Sequence, residues 1–235
     1  MLVNSSAFRR PCYNLRFPMA ETILCAICKK RKARRECPGV RGTICAQCCG
    51  AEREVTVDCP FDCAYLREAR KHEREQTPTV ETMPFPGIEV SDAFLAEHEQ
   101  FIGIIALQML RYALANPKTT DHDLQAAMEK LVKTYETLSS GLYYESLPEE
   151  GSQIGLFREV KKFLDEYQEA ERKKGSITPL KGDDVIRSLA FLSRLAALRS
   201  NGRVRGRAFI DFLRQSYPEA AASKPDEPRL IVPGR

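Results

Sequence analysis

Eight cysteines fall between residues 25 and 63 with the spacing Cys25-x2-Cys28-x8-Cys37-x7-Cys45-x2-Cys48-Cys49-x9-Cys59-x3-Cys63. Thiols at this density can hold soft metal ions, pair as disulfides or carry out redox exchange. Two C-x2-C pairs and a third close pair point to metal, because each pair turns tightly enough for two thiolates to converge on one tetrahedral ion. Eight thiolates suffice for two four-coordinate Zn²⁺ ions. The natural partition is interleaved, with Cys25, Cys28, Cys45 and Cys48 on one ion and Cys37, Cys49, Cys59 and Cys63 on the other. The segment has few large apolar residues, so metal binding must supply its folding free energy. Chelation is expected to unfold residues 25–63 and leave the helical signal nearly intact.

Other uses of these thiols fit less well. Residues 1–24 carry Arg9, Arg10 and Arg16 among single apolar residues, not the run of about 7–15 apolar positions that an export signal has. That composition points to a cytoplasmic protein, where disulfides are rare. A thioredoxin-like C-x-x-C needs flanking strand and helix patterns that this stretch lacks. An iron–sulfur cluster uses the same ligands, and counting cysteines does not separate it from zinc. Two further arrangements are a single zinc with the other cysteines as bystanders, and a second site in which His72 replaces one cysteine.

The string CAICKKRKARRECPGVRGTICAQCCGAEREVTVDCPFDCAYLREAR resembles a small cysteine-rich N-terminal module of uncharacterised bacterial proteins. In that module a CxxC pair is followed by a basic CP segment, an RGxICxxCCG block and a CPxxCxYL close. The resemblance covers about a fifth of the chain and implies a zinc-binding module without implying a reaction. The cysteine order also has a loose likeness to HIT-type zinc fingers, although the spacing after Cys37 is longer and the terminal His-Lys pair is missing.

Charge is distributed unevenly. Lys plus Arg outnumber Asp plus Glu by 15 to 9 in residues 1–75 and by 10 to 4 in residues 186–235, whereas residues 76–185 hold 11 cations and 19 carboxylates. An acidic middle can therefore pair with two basic ends, which weakens the case for nucleic acid that basic ends alone would make. Two basic clusters stand out as candidate anion or nucleic-acid sites. Lys29, Lys30, Arg31, Lys32, Arg34 and Arg35 occupy the first loop between ligands, where they can contact phosphates or offset thiolate charge. Arg199, Arg203, Arg205 and Arg207 sit in a Gly-containing turn that opens a helix, where cations are intrinsically unfavourable and an anion must lie nearby. The acidic middle is the expected internal partner. On that basis Arg203→Ala with Arg205→Ala should destabilise residues 88–217.

Familiar catalytic patterns are missing: there is no G-x-S-x-G, P-loop, G-x-G-x-x-G or H-E-x-x-H. Of the three histidines, His98 borders an apolar helix and reads as a satisfied edge residue, and His122 as a solvated one in a first helical turn.

The elements that must position these groups follow from periodicity. The chain has 235 residues, 43% of them hydrophobic, enough to bury a real core. Its longest apolar stretch, residues 101–114, is broken by Gln108 and Arg111 and falls short of a membrane span. Residues 1–24 read as a tail, with Met19 a candidate start, and residues 25–75 as the cysteine-rich module with a short exit helix. Residues 76–90 carry three prolines and read as a linker.

From Ser91 the period becomes 3.6. Five helices are expected: from the Ser91 cap to about Ala115, from Thr120 or Asp121 to a Gly141 stop, from near Ser152 to Lys174, from Asp183 to Asn201-Gly202, and a short one through Phe209 to Leu213. The first, apolar on most sides, should be the central one, and residues 218–235 should be disordered. The fold class is thus mainly α, a small cysteine-rich zinc module followed by an all-α domain at residues 91–217. The expected function is that of a non-enzymatic zinc-binding interaction module for a protein or nucleic-acid partner. The alternative is an enzyme or enzyme subunit using thiolates or a metal cluster.

Overall fold

A computed structural model describes residues 23–73, 83–142, 144–173 and 180–222. The expected tails up to residue 22 and beyond residue 222, Cys12, and linker residues 76–82 lie outside the described residues.

The cysteine-rich part holds a two-stranded antiparallel hairpin, β1 (Arg35–Cys37) and β2 (Gly42–Ile44), in which Arg35 faces Ile44 and Cys37 faces Gly42. Two one-turn to two-turn helices follow, α1 (Ala46–Glu52) and α2 (Ala64–Arg70). The hairpin turn needs Gly39, because a Cβ there would stand 2.5 Å from the carbonyl oxygen of Asp58 and 2.6 Å from a Val57 methyl. The turn is thereby packed directly on the segment that leads to Cys59.

The rest is helical: α3 (Asp92–Ala115), α4 (Asp121–Ser139), α5 (Gly151–Lys173), α6 (Gly182–Arg199), α7 (Ala208–Ser216) and a short α8 (Pro218–Ala222). The five expected helices are all present. Ser91 caps α3 by accepting from the Phe94 N–H, and Thr120 and Asp123 form a reciprocal capping box on α4. Gly141 follows α4 at φ +81°, the left-handed conformation that ends a helix without a Cβ penalty. Residues 218–222, expected to be disordered, continue helically instead, since proline is tolerated in a first helical turn.

One core runs through α3 to α7, with Ile105, Leu110, Leu131, Phe157, Leu164, Leu189 and Phe209 fully buried. Truncating one such side chain to alanine costs about 2–5 kcal/mol. The central position is not held by α3, whose Ile104 is exposed. Helix α4 packs on α5, α6 and α7 and buries polar Asp121, Asp123 and Thr134 together with its apolar stripe. Among the described residues no helix is long and apolar enough to cross a membrane.

Residues 83–90 lie against the core rather than hanging free. Arg194 of α6 donates to the carbonyls of Pro84, Phe85 and Ile88, and Phe85, Ile88 and Val90 pack on the main cluster.

The cysteine-rich part and the helices meet through buried charge. Glu54, 1% exposed, accepts from Arg70 at 2.8 Å, from Asn201 Nδ2 at 2.8 Å and from the Arg207 N–H at 3.2 Å. Its backbone carbonyl takes the Arg205 N–H at 2.9 Å. The other arm of the Arg70 guanidinium donates to Asp211 of α7. Beside them Phe61 carries the guanidinium groups of Arg207 and Arg214 at 4.0 and 4.8 Å from its ring centre. Asp121, at the start of α4, accepts from the N–H groups of Phe209 and Ile210 and so caps α7 from outside.

Burial pushes the Asp121 carboxyl up from 3.8 to about 7, despite those two N–H donors, with Glu54 adding to the rise and Arg70 opposing it. A raised native pKa means that the folded state holds a proton the unfolded chain has lost, so this group's stabilisation is present at low pH and lost as pH rises through 7. Stability is expected to fall by about 1 kcal/mol between pH 6 and 8 on this account, and Asp121→Asn should remove that component. Thermal melts of both proteins across this range check it, and parallel pH profiles would contradict it.

Candidate metal centre

The first knuckle is built by backbone hydrogen bonds. Cys25 N–H donates to the Arg31 carbonyl at 2.8 Å and Lys29 N–H to the Cys25 carbonyl at 2.9 Å. Lys29 takes φ 56° to complete the reversal, so that the Cys25 and Cys28 sulfurs lie on one side. Ala26 N–H donates to Thr43 at 3.0 Å and ties this knuckle to β2. The second knuckle is the start of α1. Cys45 is its N-cap, and its sulfur accepts from the Cys48 N–H at 3.4 Å.

These two turns bring the sulfurs of Cys25, Cys28, Cys45 and Cys48 within 4.8 Å of one another. Four thiolates at about 2.3 Å around a tetrahedral ion stand roughly 3.8 Å apart, so the donor set suits a four-coordinate soft divalent ion. Cys25, Cys45 and Cys48 are buried and Cys28 half-buried. Burial raises the Cys25 thiol, but the N–H groups of Cys28, Cys45 and Ile27 outweigh it and bring the pKa to about 6. The Lys30 and Arg31 N–H groups lower Cys28. Cys48 is pushed up to about 12, first by Cys45, then by burial and by Cys28 and Cys25. Three sulfurs thus oppose charge on the fourth, which is the electrostatic demand that a bound cation meets.

Among the described residues this is the one group of three or more Cys, His, Asp or Glu side chains drawn so close. Of the other four cysteines, Cys37 belongs to the same buried cluster, and Cys49 and Cys59 pack against it. Cys37 ends β1, Cys49 lies in α1 and accepts from Arg53 at 3.9 Å, and Cys63 is the N-cap of α2. Cys59 is pushed up to about 11 by burial, with Glu54, Cys63 and Cys37 near enough to add to the rise. His72 is 78% exposed and faces Glu68 at 3.5 Å, away from any cysteine partnership. His98 stacks on Phe94 at 4.3 Å and bonds the Phe94 carbonyl, the satisfied edge residue that its position suggests.

The two basic clusters have different fates. Arg203 donates to the carbonyls of Arg53 and Gly50, Arg205 pairs with Asp58 at 3.0 Å, and Arg207 lies on Phe61. Arg199 stacks on Phe212 at 4.8 Å. Most of this turn's anionic and carbonyl partners come from the cysteine-rich module, with Asp121 the contribution from the acidic middle. In the first loop Lys29, Lys30, Arg31, Lys32 and Arg34 are exposed. Arg31 gains from the Cys45 sulfur, which holds its guanidinium above its ordinary pKa, and Arg35 lies over the Tyr65 ring at 4.6 Å.

Sequence reasoning missed Glu54, Arg70 and Phe61 as functional positions. Glu54 gives no signal, being one acid in a charged stretch. Phe61, a large aromatic inserted between Cys59 and Cys63 in an otherwise apolar-poor module, was the available hint that this surface is covered.

Comparison with known protein families, with characterised proteins and with solved structures finds no match for this chain.

The partners of the arginine turn change what its loss should do. Arg203→Ala with Arg205→Ala is expected to destabilise the full chain by about 2 kcal/mol, chiefly through the charged hydrogen bonds of Arg203. The same pair of substitutions in a chain lacking residues 1–75 should have little effect. Thermal melts of the four proteins decide this, and equal losses in both backgrounds would contradict it.

Proposed function

We propose that residues 23–73 form a non-enzymatic, two-zinc interaction module whose metals are structural and whose exposed face meets a protein or nucleic-acid partner. The observation that carries this reading is the buried cluster of Cys25, Cys28, Cys45 and Cys48 sulfurs. Four thiolates fill a tetrahedral ion and leave no open position for a substrate, which is the difference between a structural and a catalytic zinc. A second ion on Cys37, Cys49, Cys59 and Cys63 is supported by the interleaved spacing and by the packing of Cys49 and Cys59 on the cluster that holds Cys37. The eight described cysteines are all free thiols, the form that a reducing compartment such as the cytoplasm maintains.

Elemental analysis of the purified full chain is expected to give two zinc ions per molecule. Cys25→Ser and Cys48→Ser should each lower that content by one, as should Cys37→Ser, Cys59→Ser and Cys63→Ser. A combined Cys25→Ser and Cys48→Ser change should still lose only one ion, whereas Cys25→Ser with Cys37→Ser should lose both. A single zinc, or iron in its place, overturns the two-zinc assignment.

A further inference from the structure

The first interligand loop continues into an extended edge. Leu24 pairs with Lys32 in an antiparallel bridge, Ala33 N–H donates to the Ile23 carbonyl, and Arg34 N–H donates to Ile44. Lys32 is thereby set beside Leu24, and Arg34 follows it on the same exposed face while Arg35 alternates to the other, with Ile23 and Leu24 61% and 54% exposed. Arg35 leads on to Tyr65, whose ring lies under its guanidinium and is 37% exposed.

Among the described residues this edge carries charge with no carboxylate partner. Residues 23–48 hold seven Lys or Arg and one carboxylate, Glu36. Four thiolates with one divalent ion take up two of the six excess positive charges and the Cys37 thiolate up to one more, which leaves about three on this small surface. Among the described residues none of these seven cations has a carboxylate within 4.0 Å, in contrast to Arg70 and Arg205. Among the described residues the junction arginines thus have carboxylate partners and the ribbon's cations have none.

We propose that this edge, made by Lys29, Lys30, Lys32, Arg34 and the Arg35–Tyr65 stack, binds single-stranded nucleic acid. The proposal rests on the interaction-module reading and names the partner of the same surface. Cations without internal partners suit phosphates, whose neutralisation releases counterions. An exposed aromatic ring backed by a guanidinium is a platform on which unpaired bases stack. Bases inside a duplex are already stacked on one another and gain nothing from such a platform.

The test uses the full chain, with its zinc content measured on every sample, and a fluorescein-labelled 20-nucleotide oligouridine followed by anisotropy between 50 and about 200 mM salt. Binding is expected to weaken steeply with salt. The combined Lys29→Gln, Lys30→Gln and Lys32→Gln variant should flatten the log–log salt slope by about 2, at roughly 0.7 for each phosphate no longer neutralised. Tyr65→Leu should weaken binding about tenfold without changing the slope, and Tyr65→Phe should restore it. Lys162→Gln with Lys173→Gln, on the exposed face of α5, should change neither.

A zinc-loaded wild type that binds no oligouridine overturns the proposal while leaving the interaction module standing. So does tighter binding of a duplex of equal length, capture by anionic phosphatidylserine vesicles without oligonucleotide binding, or self-association that accounts for the anisotropy. A chain without metal that still binds through Lys29 to Tyr65 would instead overturn the zinc reading and keep this one.

Discussion

A carboxylate with almost no contact with water holds the two halves of this protein together. Glu54 sits in the left-handed region at φ 51°, in the stretch between Cys49 and Cys59, so the path of the backbone around those cysteines decides where its side chain goes. A buried carboxylate is tolerated only when it is fully paired. Here the pairing comes from α2 through Arg70, from the loop after α6 through Asn201, and from the Arg207 N–H at the start of α7. Removing one partner leaves the others as unmatched buried charge, at about 3–5 kcal/mol for a broken buried pair. The folding of the cysteine-rich segment and the seating of α7 are for this reason parts of one arrangement.

The uneven charge of the sequence follows from this arrangement. The arginines around residues 199–207 look costly at a helix entrance, and they are retained because the module supplies carbonyls, Asp58 and the Phe61 ring to receive them. Asp121 then accepts the N–H groups at the start of α7 that its own N-cap residue, Arg207, leaves without a side-chain cap. The cations of the first interligand loop have no such role in the junction. Within one module, the same residue types serve internal cohesion on one side and face outward on the other.

Much of the fold was legible because it is local. The Ser91 and Thr120 caps, the Gly141 stop and the apolar stripes on α4 to α7 all depend on residues within a turn or two of each other, and sequence spacing reports such neighbours directly. The tetrathiolate cluster was legible for the same reason, since each C-x2-C pair is a local turn. What the sequence did not reveal is long-range. Glu54 and Arg207 are 153 residues apart, and nothing in either neighbourhood marks the other. The acidic middle was the reasonable partner for the arginine turn on charge balance alone, but charge balance does not encode distance, and the module's Asp58 and Glu54 are nearer. The central place of α4 was obscured too, because α3 is the more apolar helix while α4 buries polar Asp121, Asp123 and Thr134 along with its apolar stripe.

Because buried charge joins the cysteine-rich module to the helical domain, loss of the metal proposed for the module should be felt beyond residues 25–63. The direct measurement is thermal unfolding of the full chain, followed by far-ultraviolet circular dichroism at 222 nm, with and without a zinc chelator under reducing conditions. The account predicts that most helical signal survives chelation at 25 °C, while the melting temperature of the helices drops by about 5 °C or more, the size expected for loss of a few kcal/mol in a domain of this length. An unchanged helical melting temperature, with metal loss verified on the same sample, would contradict it.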